Sequence, residues 1–431
     1  MKQFYRVLIN TLIANVTTSY LWFALTFWLY LETRSVLATA VVGGAYMLLV
    51  AFCGLLFGTF VDKNYKKRVM LLSSVISTAA YVLALILYSI AGERQLASLS
   101  SPLLWLFAGI VLAGAVVENL RNIALSTTVT ILVPKEQRDK ANGLIGSVTG
   151  LAFLVTSVLS GLSIGFLGLG WTLVIATGLT VLALVHISFI KIPEKKIVHD
   201  PNLAGKHIDI KGATKAISKV PGLWALLFFA VFNNLVGGVF MALMDPYGLT
   251  LFSVQVWGTM LAITSVGFIA GGLVVAKTGL GKRPLRTLLL INILTSSVGL
   301  FFAIREIAWV YVVGIFLYMC FMPVAQAAEQ VLLQRIVPLA KQGRVFGLKQ
   351  SMEAAAAPIT AFLIGPLAQF VVIPYMRGQG EQDFAWLLGH GEMRGVALIF
   401  VTASLIMLVV TTLAFRSKAY HLITKEYSAA K

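Results

Sequence analysis

A chain of 431 residues with 58% hydrophobic and 12% charged side chains, and a mean hydropathy of +0.89, has too little polar surface to cover a water-soluble fold. That excludes a soluble domain and leaves a polytopic membrane protein. The net charge of +17 would suit a nucleic-acid partner, but Lys and Arg crowd into alternate loops, a placement that reports membrane orientation and attraction to anionic lipid instead.

A hydrocarbon core about 30 Å thick takes roughly 20 apolar residues per helix, and on that basis the sequence predicts an all-α membrane protein of twelve spans. Their limits are 5–31, 37–61, 68–91, 102–125, 143–168, 171–190, 223–245, 254–277, 286–304, 308–332, 346–373 and 394–415. The first run is much longer than a signal-peptide core and is expected to stay as helix one. With Met1 inside, 28 of the 34 Lys and Arg fall on the inner side; Arg34, Arg94, Arg305, Arg377 and Arg394 fall outside, and Arg121 lies within a span. The positive-inside rule then puts both termini in the cytoplasm. Trp28, Trp105, Trp171, Trp257 and Trp309 sit near predicted outer ends, as an interfacial belt would. Cys53 and Cys320 fall inside spans, which argues against a disulfide or a Cys-based metal site.

Between the second and third spans, GTFVDKNYKKRVM at Gly58 to Met70 ends an apolar run with one acid and follows it with four bases within six positions. The largest break, Lys191 to Val220, carries seven Lys and three acids and reads as a cytoplasmic linker with an amphipathic piece around Ile210 to Val220. Around it the chain repeats weakly. A shift of 218 places Asn15 on Asn233, Gly54 on Gly272 and the Arg68 run on the Arg286 run, while a shift of 204 places Val133-Pro134 on Val337-Pro338 and Gly143 on Gly347. The expected organisation is an N-terminal six-helix half at 1–191, a linker at 192–221 and a C-terminal six-helix half with its tail at 222–431, a parallel repeat with a transport site between the halves.

With these features the chain resembles the major facilitator superfamily over essentially its whole length. The signature of that family between helices two and three is matched by Gly58, Asp62, Lys63, Lys66 and Lys67, followed here by Arg68. Within the family the chain is similar to the twelve-helix drug exporters of the macrolide-efflux and enterobactin-exporter type, through LVPKEQRDKANGL at Leu132 to Leu144 and VPLAKQGRVFGL at Val337 to Leu348. The resemblance implies that the loop latches the cytoplasmic side of the two halves; the plain alternative is a topogenic basic loop with one solvated acid. Tyr65 stands where the signature carries Gly, which is tolerable only if that turn needs no positive φ. Under the 218 shift Asp62 falls on Leu280, so the second half lacks the equivalent acid.

Ionisable residues inside spans are costly and default to functional candidates. Glu118 and Arg121 lie three apart on one helix face and suit either proton coupling or a structural ion pair, at a depth the long fourth span leaves open. The resemblance adds that an Arg on helix four often assists proton transfer. Glu353 suits a proton site or a pair with Lys349; Glu329 suits coupling or an interfacial pair with Arg335; Asp245, before Pro246, suits a turn or a coupling site. Asn15, Thr18 and Phe23 on helix one and Asn233 and Asn234 on helix seven are candidates for substrate contact, because the resemblance implies that these helices line the cavity. Their bland alternative is ordinary interhelical packing. The small residues Gly146, Gly150, Gly161 and Gly165 read as packing positions.

No nucleotide loop, His cluster of ligand spacing or catalytic constellation is recognisable, so no enzyme and no cofactor are expected. The expectation is a monomeric, multi-pass, bacterial-type inner-membrane exporter that carries an amphipathic organic compound or drug and is driven by the proton gradient. It takes a small-molecule substrate within the lipid bilayer and no nucleic acid. A siderophore, lipid or lysolipid exporter is the alternative cargo reading, and a non-transporting receptor or scaffold is the alternative class.

Overall fold

The computed structural model describes residues 2–33, 36–194, 208–391 and 393–430. The middle of the expected linker, with His199 and His207, lies outside them. Every regular element among the described residues is helical, as chains that must satisfy their own backbone in lipid require.

Among the described residues, eleven helical stretches are long and apolar enough to cross a membrane. One of them, Lys135–Phe189, contains 55 residues, nearly twice the length of a single crossing. Its helix, α5 (Arg138–Phe189), breaks at Gly168, whose φ of 74° is open only to a residue without Cβ strain. The two limbs run about 45 and 30 Å at 1.5 Å per residue, so each is long enough to span once, which makes twelve among the described residues.

The chain forms two compact units, each assembled from separate stretches. The first comprises Met1–Arg138, Leu151–Ala216 and Val337–Ser351. It holds α1 (Lys2–Thr33), α2 (Val36–Lys63), α3 (Lys66–Leu96), α4 (Pro102–Leu132), most of α5, nearly all of the short α6 (Ile210–Ser218), and the start of α11 (Leu339–Leu367). Its core gathers Tyr20, Leu25, Trp28, Tyr81, Phe107 and Leu173 from α1, α3, α4 and the second limb of α5.

The second unit comprises Asp139–Gly150, Ile217–Ile336 and Met352–Lys431. It holds α7 (Leu223–Leu251), α8 (Val254–Thr278), α9 (Pro284–Phe301), α10 (Ala308–Ile336), the rest of α11, the short α12 (Ile373–Met376) and α13 (Gln379–Leu388), α14 (Arg394–Arg416) and α15 (Lys418–Ala429). Pro284 opens α9, where its missing N–H costs nothing, and the Ser417 hydroxyl accepts from Tyr420 N at 3.1 Å to cap α15. The core of this unit is aromatic: Tyr247, Tyr311, Phe302, Phe400 and Trp257 meet with ring centroids 4.9–6.0 Å apart.

Three sequence expectations change here. Of the five tryptophans read as a belt, Trp105, Trp171 and Trp309 are exposed, but Trp28 and Trp257 are buried core residues. Trp28 donates to Glu93 at 3.1 Å and Trp257 to Asp245 at 3.0 Å, so their indole N–H groups serve packing and not the lipid interface. Asp245 is not in a turn, because α7 continues through Pro246 to Leu251. Arg394, read as a loop cation, is buried at the start of α14, where it donates to the carbonyls of Ala303, Ile304 and Leu388 and to the Tyr247 hydroxyl at 2.6 Å, and pairs with Glu306 at 2.9 Å. It ties the ends of α9 and α13 to α7.

Removing a buried charge strands its partners, at a cost of about 3–5 kcal/mol. Arg394→Met should therefore lower the unfolding temperature of the purified protein by many degrees, whereas Arg286→Met, at an exposed position, should leave it within a degree or two.

Candidate functional site

At the end of α2, Asp62 is completely buried and saturated. Its Oδ1 accepts from Gly343 N at 2.7 Å, and its Oδ2 accepts from Arg344 N and from Arg344 Nε, both at 3.0 Å. Three charge-assisted bonds thus fix one carboxylate on the early turns of α11. The other side of the Arg344 guanidinium lies 2.5 Å from Asp209 Oδ2. Asp209 caps α6 by accepting from Gly212 N at 3.0 Å, and its own N–H donates to the Thr59 hydroxyl at 3.2 Å. One arginine, itself 1% exposed, therefore bridges a helix-two acid and a linker acid, all within the first unit.

Glycine makes this approach possible. Gly54 and Gly58 on α2 face Gly347 and Gly343 on α11, so that a small-xxx-small pair meets another. A Cβ on Gly58 would strike the Gly343 carbonyl, one on Gly347 would strike the Gly54 carbonyl, and one on Gly343 would strike Asp62 itself.

The second unit repeats the contact with its acid moved. Gly143 near the start of α5 packs on Gly272 of α8, the positions that the two sequence shifts relate to Gly347 and Gly54. Leu280, in the place of Asp62, brings no carboxylate. Asp139, at the start of α5, supplies it from the opposite partner and accepts from Leu280 N at 3.1 Å. Deeper in the first unit, Gln350 donates to Asn119 at 2.5 Å, which ties α11 to α4 as well. In the second unit Asn142 donates to Gln334 at 2.8 Å.

The basic residues after Asp62 have separate tasks. Buried Lys66 reaches Glu194 at 3.3 Å, and its N–H donates to the same carboxylate at 2.8 Å. Lys67 donates to the Ser188 carbonyl at 2.9 Å near the end of α5. Arg68 is exposed, with its guanidinium 5.2 Å from the centre of the Tyr65 ring. Tyr65 itself has φ −60° and ψ 129°, extended backbone that any residue adopts, so the departure from Gly costs no strain. Lys63 is half-buried.

Glu118 and Arg121 form a buried pair, with Arg121 Nε 2.6 Å from Glu118 Oε1. Arg121 is fully enclosed and donates to Asn10, to Ser74 and to the Met70 carbonyl. Ser73 donates to Glu118 Oε2 at 3.3 Å, and Asn10 in turn donates to the Ala183 carbonyl at 2.8 Å and touches His186 at 3.4 Å. Asn10, Met70, Ser74 and His186 lie only about 5–12 Å from the ends of α1, α3 and α5, the ends that carry Lys2, Lys66 and Lys191. The depth that the sequence left open is thus nearer the basic end than the middle.

Comparison with known proteins now decides the family: the model of the Major Facilitator Superfamily matches residues 7–361. The chain belongs to the major facilitator superfamily. It is therefore a transporter and not an enzyme. It is 23% identical to macrolide efflux protein A of Streptococcus pyogenes over 375 residues, 84% of this chain and 88% of that one. Its fold matches a bacterial homologue of the iron transporter ferroportin, solved in an outward-facing state, with a TM-score of 0.70 at 14% identity over 97% of this chain and 100% of that one. It also matches the human organic anion transporter MFSD10 with a TM-score of 0.63 at 16% identity over 96% and 99% of the two chains.

The remaining candidates in this facilitator are scattered. Glu353 is half-buried on α11, and Glu329 is buried on α10. The Arg335 guanidinium, expected beside Glu329, lies 4.2 Å over the Tyr427 ring of α15. Asn15 and Thr18 are half-buried on α1, with Phe23 against Phe27 and Phe153 at 6.1 and 5.7 Å. Asn233 is half-buried, whereas Asn234 is exposed and donates to the Ala230 carbonyl of its own helix at 3.0 Å. Sequence reasoning missed Arg344, Asp209, Asp139 and Asn10. Arg344 and Asp139 stand inside the two segments that carry the family likeness, and the GxxxG spacing at Gly54 and Gly343 was the available signal for the contact.

Forcing a side chain into such a close approach costs about 1–3 kcal/mol. Gly347→Leu and Gly143→Leu should each lower the unfolding temperature clearly. Gly161→Leu, where a side chain would meet open space, should not.

Proposed function

We propose that this facilitator exports an amphipathic or cationic organic compound by alternating access, with the Asp62 contact as its cytoplasmic latch and the proton gradient as its driving force. One observation carries the reading: a buried carboxylate from the first sequence repeat is satisfied by amides and a guanidinium from the second. Such a bond is strong while made and replaceable by water when the helices part, as a rocking transporter needs and a static scaffold does not. Likeness to macrolide efflux protein A over most of both chains supports export and a bulky organic cargo. In this reading the protein is a monomer of the bacterial inner membrane, with both termini in the cytoplasm and no nucleic-acid partner.

Glu118 with Arg121 is the leading coupling group and Glu353 the next; Glu329 and Asp245 stand behind them. A proton on Glu118 cancels its half of the ion pair and leaves Arg121 to Asn10 and Ser74, which alters how α1, α3 and α4 hold together. Asn15, Thr18, Phe23, Asn233 and Asn234 are the proposed cargo contacts. Export of an anionic siderophore, lipid or lysolipid through Arg121 is disfavoured, because that guanidinium is enclosed and already committed to four partners.

Glu118→Gln, Glu353→Gln and the double variant are compared at equal reconstituted amounts, because neutralising Glu118 leaves the buried Arg121 without its counter-charge. In proteoliposomes the double variant should lose at least tenfold in proton flux driven by a macrolide or a lipophilic cation. Undiminished proton flux would remove the coupling assignment.

A further inference from the structure

On the side of α2 turned away from α11, a groove runs along the start of α3. At 3.6 residues per turn, Gly58 and Asp62 share the face that meets α11, and Phe60 projects from the opposite one. Phe60 and Asn64 line the groove with Arg68, Leu71, Leu72 and Val75, enclosing about 300 Å³. Its walls are apolar apart from two side chains. Asn64 spends its amide on the Phe60 carbonyl at 2.9 Å. Arg68 is exposed and steadied over Tyr65, and among the described residues it has no carboxylate partner.

Its neighbours differ: Lys66 is neutralised by Glu194 and Lys67 holds the Ser188 carbonyl. Leu72 and Val75 are exposed, as lipid-facing side chains are. From Arg68 to Val75 the helix runs about 10 Å. The feature is a single preordered cation at the head of an apolar trough that begins in the first turn of α3.

We propose that this groove binds one anionic phospholipid, with its phosphate on the Arg68 guanidinium and an acyl chain along Leu71, Leu72 and Val75. Arginine matches phosphate geometry with paired donors, and the cationic loop favours a headgroup of net negative charge over a zwitterionic one. Phe60 sits on the last turn of α2, which carries Asp62, and Asn64 follows directly after that helix, so an occupied groove also steadies the helix end from which the carboxylate reaches α11. The proposal does not depend on what the protein carries.

The test is thermal unfolding of the purified full-length protein in detergent with added phosphatidylglycerol or phosphatidylcholine, together with native mass spectrometry of retained lipid. Phosphatidylglycerol should raise the unfolding temperature by several degrees more than phosphatidylcholine does. Arg68→Gln and, independently, Val75→Trp should each abolish most of that difference and reduce retained phosphatidylglycerol at least fivefold. Both positions are exposed, so the variants are expected to fold, and size-exclusion chromatography checks that. Equal stabilisation by the two lipids would mean ordinary annular lipid and overturn the proposal, as would an Arg68→Gln variant that keeps the full phosphatidylglycerol effect.

Discussion

A carboxylate with no access to water is tolerable only if every lone pair that matters is met, and Asp62 imposes that condition on everything around it. Its three donors come from two consecutive residues of α11, so α11 must already be helical at Gly343 and must run close beside α2. Closeness demands Gly54, Gly58, Gly343 and Gly347, since a Cβ on any of them would collide with the partner helix or with Asp62. Arg344, once turned toward Asp62, leaves a second face to be neutralised, and Asp209 supplies it. Breaking such a buried pair by removing one partner costs about 3–5 kcal/mol. Through Asp209 the linker helix belongs to the same arrangement, because the acid that meets Arg344 is also the cap of α6.

The two units solve one packing problem with the charge placed differently. In the first the acid stands on the helix that ends at the loop; in the second it stands at the start of the partner helix, where Asp139 accepts from Leu280 N. In the first version Arg344 adds a guanidinium and Asp209 a second carboxylate.

Much of the architecture was legible in the residues. Apolar length sufficed for twelve spans because lipid leaves the backbone few options, with Gly168 marking where the fifth gives way to the sixth. The Asp62 loop was legible as a motif, but its partners were not, since a carboxylate on α2 says nothing about which of eleven other spans approaches it. Leu280 suggested a missing acid; Asp139 shows that a repeat can conserve a contact while moving its charge across the interface. The burial of Arg394 was not legible at the start of a span, since only the surrounding carbonyls of Ala303, Ile304 and Leu388 reveal it. The Glu118 and Arg121 pair was recognisable by spacing, whereas Asn10, Ser74 and His186 around it come from three other helices that no local pattern connects.

The central claim is that Asp62 holds the start of α11 through the amides of Gly343 and Arg344. Hydrogen–deuterium exchange on the protein in lipid nanodiscs measures those amides directly, with Asp62→Asn compared against the native chain. The account predicts at least tenfold faster exchange across residues 343–344, equivalent to about 1.4 kcal/mol, with the Leu280 amide unchanged beside Asp139. Exchange at 343–344 that is the same in both proteins would contradict it.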